Sequence, residues 1–159
     1  MILVTGGAGF IGSHTCAALA AQGLPYVILD NFSNSKPSVL DRLARITGEK
    51  PLCIEGDVRD GALLARVLRE HAITAVIHFA GLKAVSESVR EPLRYYDTNV
   101  SGTVTLLAAM RDADVRTLVF SSSATVYGGP AGSPIGADAP LQPTNPPGQT
   151  KNIAEQNQA

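Results

Sequence analysis

The chain is 159 residues long, the size of one ordinary domain, and 45% of its residues are hydrophobic against 17% charged, a balance that excludes a wholly disordered polypeptide. Thirteen basic residues face fourteen acidic ones for a formal net charge of -1, which leaves no overall positive field to gather nucleic acid or an anionic membrane. Along the chain, Ile2 to Thr5 reads as a short β-run, followed by a glycine turn and a helical stretch from Ser13 to Gln22. A second strand, Tyr26 to Leu29, ends in Asp30, and helix-type spacing runs from Val39 to Ile46. Leu52 to Glu55 gives a third strand, and Asp60 is placed to cap a helix from Gly61 to His71. Ala75 to Ala80 is a fourth strand, Glu91 to Asp112 a long helical region, and Thr117 to Ser121 a fifth strand.

Strands that alternate with helices and are apolar along their whole length predict a parallel sheet covered on both faces. The expected class is therefore α/β, doubly wound, with strand order 3-2-1-4-5. From Gly128 the character changes. Most of the ten prolines lie beyond it, with several glycines and little periodicity, which predicts irregular surface chain. The expected division is a domain over 1–127 and a segment over 128–159 that ends in a residual helix, where Thr150 to Ala159 has almost nothing apolar to bury.

Cys16 and Cys53 are too few for a disulfide framework and form no Cys-x-x-Cys pair, so a reducing cytoplasm is expected and the thiols read as core residues. No apolar run approaches the roughly 20 residues of a membrane span, and the first residues lack the flank of a signal peptide. His14, His71 and His78 are scattered without metal-ligand spacing, and no metal is expected.

The chemistry concentrates in a few loops. Gly6-x-x-Gly9-x-x-Gly12 directly follows a strand and opens a helix, where missing Cβ atoms allow a tight turn and the helix N-terminus offers free N–H groups to a diphosphate. Asp30 stands at the end of the second strand, where an acid binds ribose hydroxyls and repels a 2′-phosphate, which favours NAD over NADP; capping of the next turn is the competing role. Asp57 and Val58 end the third strand and could hold an adenine by one polar and one apolar contact, or form a surface turn. Phe79-Ala80-Gly81-Leu82-Lys83 follows the fourth strand at the sheet edge where ligands bind in such folds; Lys83 could meet a phosphate or simply be solvated.

Thr5-Gly6-Gly7-Ala8-Gly9-Phe10-Ile11-Gly12-Ser13-His14, Gly56-Asp57-Val58, His78 to Val85, Asn99-Val100-Ser101-Gly102-Thr103 and Phe120 to Gly128 together resemble the extended short-chain dehydrogenase/reductase superfamily, and within it the UDP-glucose 4-epimerases. The resemblance runs in order from Met1 to about Glu155. It implies a Rossmann-like domain that is cut short before the substrate domain, with one tightly held NAD at Gly6, Gly9, Phe10, Ile11, Gly12, Asp30, Asn31, Asn34, Ser35, Asp57, Val58, Phe79, Ala80, Gly81, Lys83 and Asn99. By the same resemblance Ser123 would hydrogen-bond the reacting sugar oxygen, and Lys151 would bind the nicotinamide ribose and lower the pKa of a catalytic tyrosine.

That tyrosine is missing. The family's Tyr-x-x-x-Lys motif falls on Pro147-Gly148-Gln149-Thr150-Lys151, and proline has no ionisable group. The resemblance thus implies the NAD-binding portion of an epimerase that is inert as it stands, with a UDP-sugar partner only if the missing domain is supplied and self-association through exposed apolar surface. A non-catalytic NAD-binding module, another NAD-dependent nucleotide-sugar dehydratase or reductase, and a degenerate fragment that binds nothing stay open beside it.

Overall fold

The computed structural model describes residues 1–129 and 134–157; part of the proline-rich stretch and the last two residues of the expected tail lie outside the described residues. Two compact units emerge, which interleave along the sequence: Met1–Ala80 with Thr105–Ser121, and Gly81–Val104 with Ser122–Ala159.

The first unit holds a five-stranded parallel sheet in the order β3-β2-β1-β4-β5, as the sequence predicts. Its strands are β1 (Ile2–Thr5), β2 (Tyr26–Asp30), β3 (Cys53–Glu55), β4 (Ala75–His78) and β5 (Thr117–Phe120). Between them run α1 (Phe10–Ala21), α2 (Ser38–Thr47) and α3 (Gly61–Glu70). The strand period of two sends neighbouring side chains to opposite faces, and both faces are apolar. Leu3, Val27, Leu29 and Val76 pack with Leu64, Val67 and Leu68 of α3 and with Leu106 and Met110. Val4 and Ile28 pack on the other face with Cys16 of α1 and Leu43 of α2. Asp60 caps α3 as expected, its carboxylate accepting the Leu63 N–H at 2.9 Å. Among the described residues, strand β5 pairs only with β4, and Val119 on it is 56% exposed.

The chain between β4 and β5 and after β5 departs more from expectation. The region from Glu91 to Asp112 is not one regular helix: α4 (Val85–Arg90) precedes it, and α5 (Pro92–Tyr96) leads through a π turn, Asp97–Ser101, into α6 (Gly102–Asp112). A short 3-10 helix, Ala124–Tyr127, and α7 (Pro146–Gln156) follow. Helix α7 overturns the expectation of a tail with nothing to bury, since Pro147, Gly148, Thr150, Asn152 and Ala154 are all buried. Small and polar groups do the packing. A Cβ on Gly148 would stand 2.5 Å from the Thr125 carbonyl oxygen, and Thr150 takes a hydrogen bond from Asn99 at 3.0 Å.

Asn152 is the exception, because its Oδ1 is buried without a hydrogen-bond partner among the described residues. A buried acceptor left unpaired costs about 1 to 3 kcal/mol, so Asn152→Leu should raise stability by about that much. Thermal melts of the two chains check this: the variant's midpoint should be several degrees higher, and an unchanged or lower midpoint would show that the carbonyl is satisfied in solution.

Candidate functional site

In the first unit, the loop after β1 is built for close backbone approach. Gly6 holds φ +68, and a Cβ there would fall 2.6 Å from the Ala80 nitrogen; a Cβ on Gly12 would fall 2.3 Å from the Gly6 carbonyl oxygen. Neither position can carry a side chain without moving backbone. Helix α1 starts at Gly9 with no side-chain cap and no acid in its first turn, so its opening N–H groups, on Phe10, Ile11 and Gly12, point out of the turn unclaimed by a capping group. By contrast, α3 and α7 are closed by Asp60 and Asn145. Phe79 and Ala80 follow β4 on the far side of this turn, so the loop lies where β1 and β4 diverge, the crevice at which open α/β sheets bind ligands.

Asp30, 8% exposed at the end of β2, ties this region together. Its Oδ2 accepts the Ala8 N–H at 2.9 Å, and its Oδ1 accepts the Phe32 N–H and the Ser35 hydroxyl, each at 2.9 Å. The carboxylate therefore both pins the glycine turn and orders the loop after β2. Asn34 and Ser35 line a cleft of about 400 Å³ with Ala8, Gly9 and Phe10. Within the first unit the structure thus joins Gly6, Gly9, Phe10, Gly12, Asp30, Asn34 and Ser35, with Phe79 and Ala80 behind the turn.

Asp57 is more heavily engaged than sequence reasoning sees. Its Oδ1 accepts the Arg59 backbone N–H and Nε, and its Oδ2 accepts Arg59 Nη2 and Asn31 Nδ2, at 2.8 to 2.9 Å. The Arg59 hydrogen bonds, helped by Asn31 and opposed by partial burial, hold this carboxyl well below the usual carboxylate range. Four donors use most of what two carboxylate oxygens can accept. Val58, 5% exposed, belongs to the core.

The second unit holds Gly81, Lys83, Asn99, Ser123 and Lys151. The π turn projects Asn99 inward, where it clamps Leu82 from both sides: Oδ1 accepts the Leu82 N–H at 2.7 Å and Nδ2 donates to the Leu82 carbonyl at 2.8 Å. Ser123 opens the 3-10 helix, its hydroxyl 2.8 Å from that of Thr125. Lys151 lies one turn beyond the buried Pro147 on α7, and its amine is pushed down to about 8, first by burial and then by Lys83, with Glu155 acting in the opposite direction. Glu155 also accepts the Ser122 hydroxyl. Tyr95 is fully buried; its hydroxyl lies 2.7 Å from Glu87 Oε2, the shorter of two acceptors for its single proton, and 2.9 Å from the Ala84 carbonyl, and its oxygen accepts the Ala84 N–H at 3.1 Å. Burial and Glu87 push its phenol up to about 12.

Several polar residues escaped the sequence reading. Thr5, which meets His78 at 2.6 Å in the interior of the first unit, and Glu87, which is bonded by both Tyr95 and Arg94, are the ones the sequence does not single out; His78 is the structural group that its lack of metal-ligand spacing suggests. The signal for Thr5 and His78 was only their shared position in register on adjacent strands. No helix among the described residues is long and apolar enough to cross a membrane.

Known proteins with this fold and these loops bear directly on the site. The family profile described as GDP-mannose 4,6 dehydratase matches residues 3–158. The UDP-glucose 4-epimerase of Bacillus subtilis is 55% identical over 155 residues, covering 98% of this chain and 46% of the relative. A Klebsiella pneumoniae protein of the same description is 58% identical over 127 residues, covering 80% of this chain and 91% of the relative. The crystal structure of the Stenotrophomonas maltophila UDP-glucose 4-epimerase with bound NAD and a formylated UDP-arabinopyranose superposes with a TM-score of 0.96 at 51% identity, over 98% of this chain and 46% of that one. That of Bifidobacterium longum, with NAD and UDP, gives 0.95 at 49% identity, over 99% and 47%. The chain thus spans about half the length of most of these relatives. With the glycine turn, the Asp30 tether and the strand order all in place, the chain belongs to the GDP-mannose 4,6-dehydratase family of extended short-chain dehydrogenases/reductases and matches the N-terminal portion of its UDP-glucose 4-epimerases.

Proposed function

We propose that this chain is the NAD-binding portion of a UDP-glucose/UDP-galactose 4-epimerase, and that it does not epimerise on its own. The observation that carries the reading is the Asp30 carboxylate, held against the Gly6–Gly12 turn by the Ala8 N–H. The residues fit the nucleotide: the turn has no room for Cβ atoms, the α1 N–H groups are left for a diphosphate, and a carboxylate at the end of β2 suits free ribose hydroxyls and disfavours a 2′-phosphate. Asn31, Asn34 and Ser35 add polar groups on the loop after β2, and Asp57 acts by orienting Asn31. NAD, when bound, supplies the hydride acceptor and donor. In the second unit, Lys151 would hold a ribose hydroxyl, Ser123 a sugar oxygen, and Lys83 and Asn99 would fix the turn at Gly81 and Leu82.

The inactivity reading rests on Pro147. Four residues before Lys151, it offers no proton to give or take, and general acid–base assistance is worth about 10²- to 10⁴-fold. Tyr95 does not stand in for it, being fully buried with its hydroxyl committed to Ala84 and Glu87. The same observation favours a second reading, a non-catalytic NAD-binding module. The reading also includes a cytoplasmic setting, supported by free thiols at Cys16 and Cys53, and self-association, supported by exposed Val119 on the edge strand.

The test is to purify the chain, release its bound small molecules, and titrate it with NAD and NADP. About one NAD per chain, binding at least tenfold tighter than NADP, and no turnover of UDP-galactose are expected. A chain that carries no NAD and binds none would defeat the nucleotide reading, whereas epimerisation by the unmodified chain would defeat the inactivity reading. Product analysis after Pro147→Tyr in a full-length relative carrying this segment separates an epimerase from a dehydratase or reductase.

A further inference from the structure

The cleft of about 400 Å³ runs between α1 and α2, and only one end of it belongs to the glycine turn. Ala8, Gly9 and Phe10, with Asn34 and Ser35, form that end, whereas Asp30, Asn31, Asp57 and Val58 do not line it. The rest of the wall comes from His14 and Ala17 on α1 and from Val39, Arg42, Leu43 and Ile46 on α2, none of which has a part in the nucleotide reading. At 1.5 Å of rise per helical residue, Ala17 lies about 10 Å beyond Phe10 and Ile46 about 12 Å beyond Ser38, so the cleft leads well away from the turn.

Its walls are apolar. Leu43 is buried at 2% exposure, and Ala17 and Val39 pack into the same core cluster. Phe10 and Ile46, by contrast, are 79% and 71% exposed, which leaves apolar surface on both helices facing water. The Phe10 and His14 rings lean together with centroids 4.7 Å apart and planes at 50°, and His14 Nδ1 lies 2.8 Å from the Phe10 carbonyl oxygen. A carbonyl oxygen only accepts, so that nitrogen carries the hydrogen and the two rings are held as one aromatic wall.

Arg42 supplies the charge. Lys50, Arg59, Arg94, Arg111 and Arg116 each hold an acid at 3.1 Å or less, whereas Arg42 has no ion pair or hydrogen bond among the described residues. No acidic side chain lines the cleft to neutralise it. A cavity of this size with mostly apolar walls and a few polar groups suits a small organic molecule, and a guanidinium fork matches a carboxylate in shape and charge.

We propose that the α1–α2 cleft binds a small aromatic carboxylate, with its rings against Phe10, His14 and Ile46 and its carboxylate on Arg42, beside the nucleotide rather than in its place. The site needs neither NAD nor a sugar nucleotide, so it goes beyond the nucleotide reading and stands without it.

The experiment uses the full chain, both freed of nucleotide and saturated with NAD, and 2-naphthoate as the probe, followed by its own fluorescence and by the histidine ring-proton resonances. A single saturable site is expected. Its filling should shift the His14 resonances and leave those of His71, which does not line the cleft. Arg42→Gln should weaken binding by about tenfold or more, the worth of one charge-assisted contact. Arg45→Gln takes a charge from the same helix outside the cleft and should leave binding as it was. 2-Naphthalenemethanol, the same rings without the charge, should bind about tenfold more weakly and be indifferent to Arg42→Gln. Ile46→Ser should weaken both probes several-fold. Should Arg42→Gln not fold, the alcohol comparison and the His14 shifts still decide. NAD should not displace the probe; a chain that binds no NAD defeats the nucleotide reading alone, and the variants and the alcohol then decide this one. Displacement by NAD, equal losses in Arg42→Gln and Arg45→Gln, equal affinity for acid and alcohol, or no saturable binding would each overturn the proposal.

Discussion

Gly12→Ala should cost the chain its dinucleotide affinity by about 10- to 100-fold. The new methyl would stand 2.3 Å from the Gly6 carbonyl oxygen and 2.8 Å from Gly7 Cα, both backbone atoms, so the turn itself has to move. Overpacking of this kind costs about 1 to 3 kcal/mol, and every 1.4 kcal/mol of lost binding is tenfold. Equilibrium titration with NAD reads the effect, and far-ultraviolet circular dichroism shows whether the fold survives. Gly23→Ala is the matched control. Gly23 also holds a positive φ, +66, but a Cβ there meets nothing within 4 Å, so that variant should lose a little stability and keep its affinity. Equal loss of affinity in both variants would mean that backbone strain anywhere in the unit, rather than closeness at the turn, sets binding.

Asp30→Ala is the second large effect. It removes the acceptor for three donors, Ala8 N–H, Phe32 N–H and the Ser35 hydroxyl, from a site that is 8% exposed. Hydrogen bonds to a charged group are worth about 1.5 to 3 kcal/mol each and do not add independently, so a loss on the order of 3 kcal/mol is expected in urea denaturation. Affinity for NAD should fall with it. The ratio of NAD to NADP affinity should fall as well, because the carboxylate that repels a 2′-phosphate is gone. If the ratio stays constant while stability drops, Asp30 is a tether for the glycine turn and takes no part in choosing the nucleotide.

The sheet was legible because its signals are local. Leu3 and Val4, or Val27, Ile28 and Leu29, are apolar in succession, which only a strand covered on both faces requires, and three glycines at a spacing of three mark the turn between strand and helix. Strand ends came within two residues for the same reason. The second unit was far less legible. Asn99 finds Thr150 across 51 residues of sequence and Leu82 across 17, and nothing in a helical pattern from Glu91 to Asp112 announces the π turn that aims it. The burial of helix α7 is not legible in the sequence because large apolar side chains do not supply it: Gly148 lets the Thr125 carbonyl come close, and Thr150 is held by Asn99 and by the Pro147 carbonyl. At Asp57 the position at a strand end was visible, but the fork of Arg59 and the amide of Asn31 that fill its oxygens were not.

The widened winding at Asp97–Ser101 has an evolutionary corollary. Such a bulge amounts to a single surplus residue in an α-helical ladder, and each helical residue advances the azimuth by about 100°. Excising one position there would restore ordinary pitch, yet turn the helical residues around Asn99 by that angle relative to α5. Asn99 would then lose its grip on Leu82, so single-residue indels should be purged from this stretch while point changes on its outer surface drift.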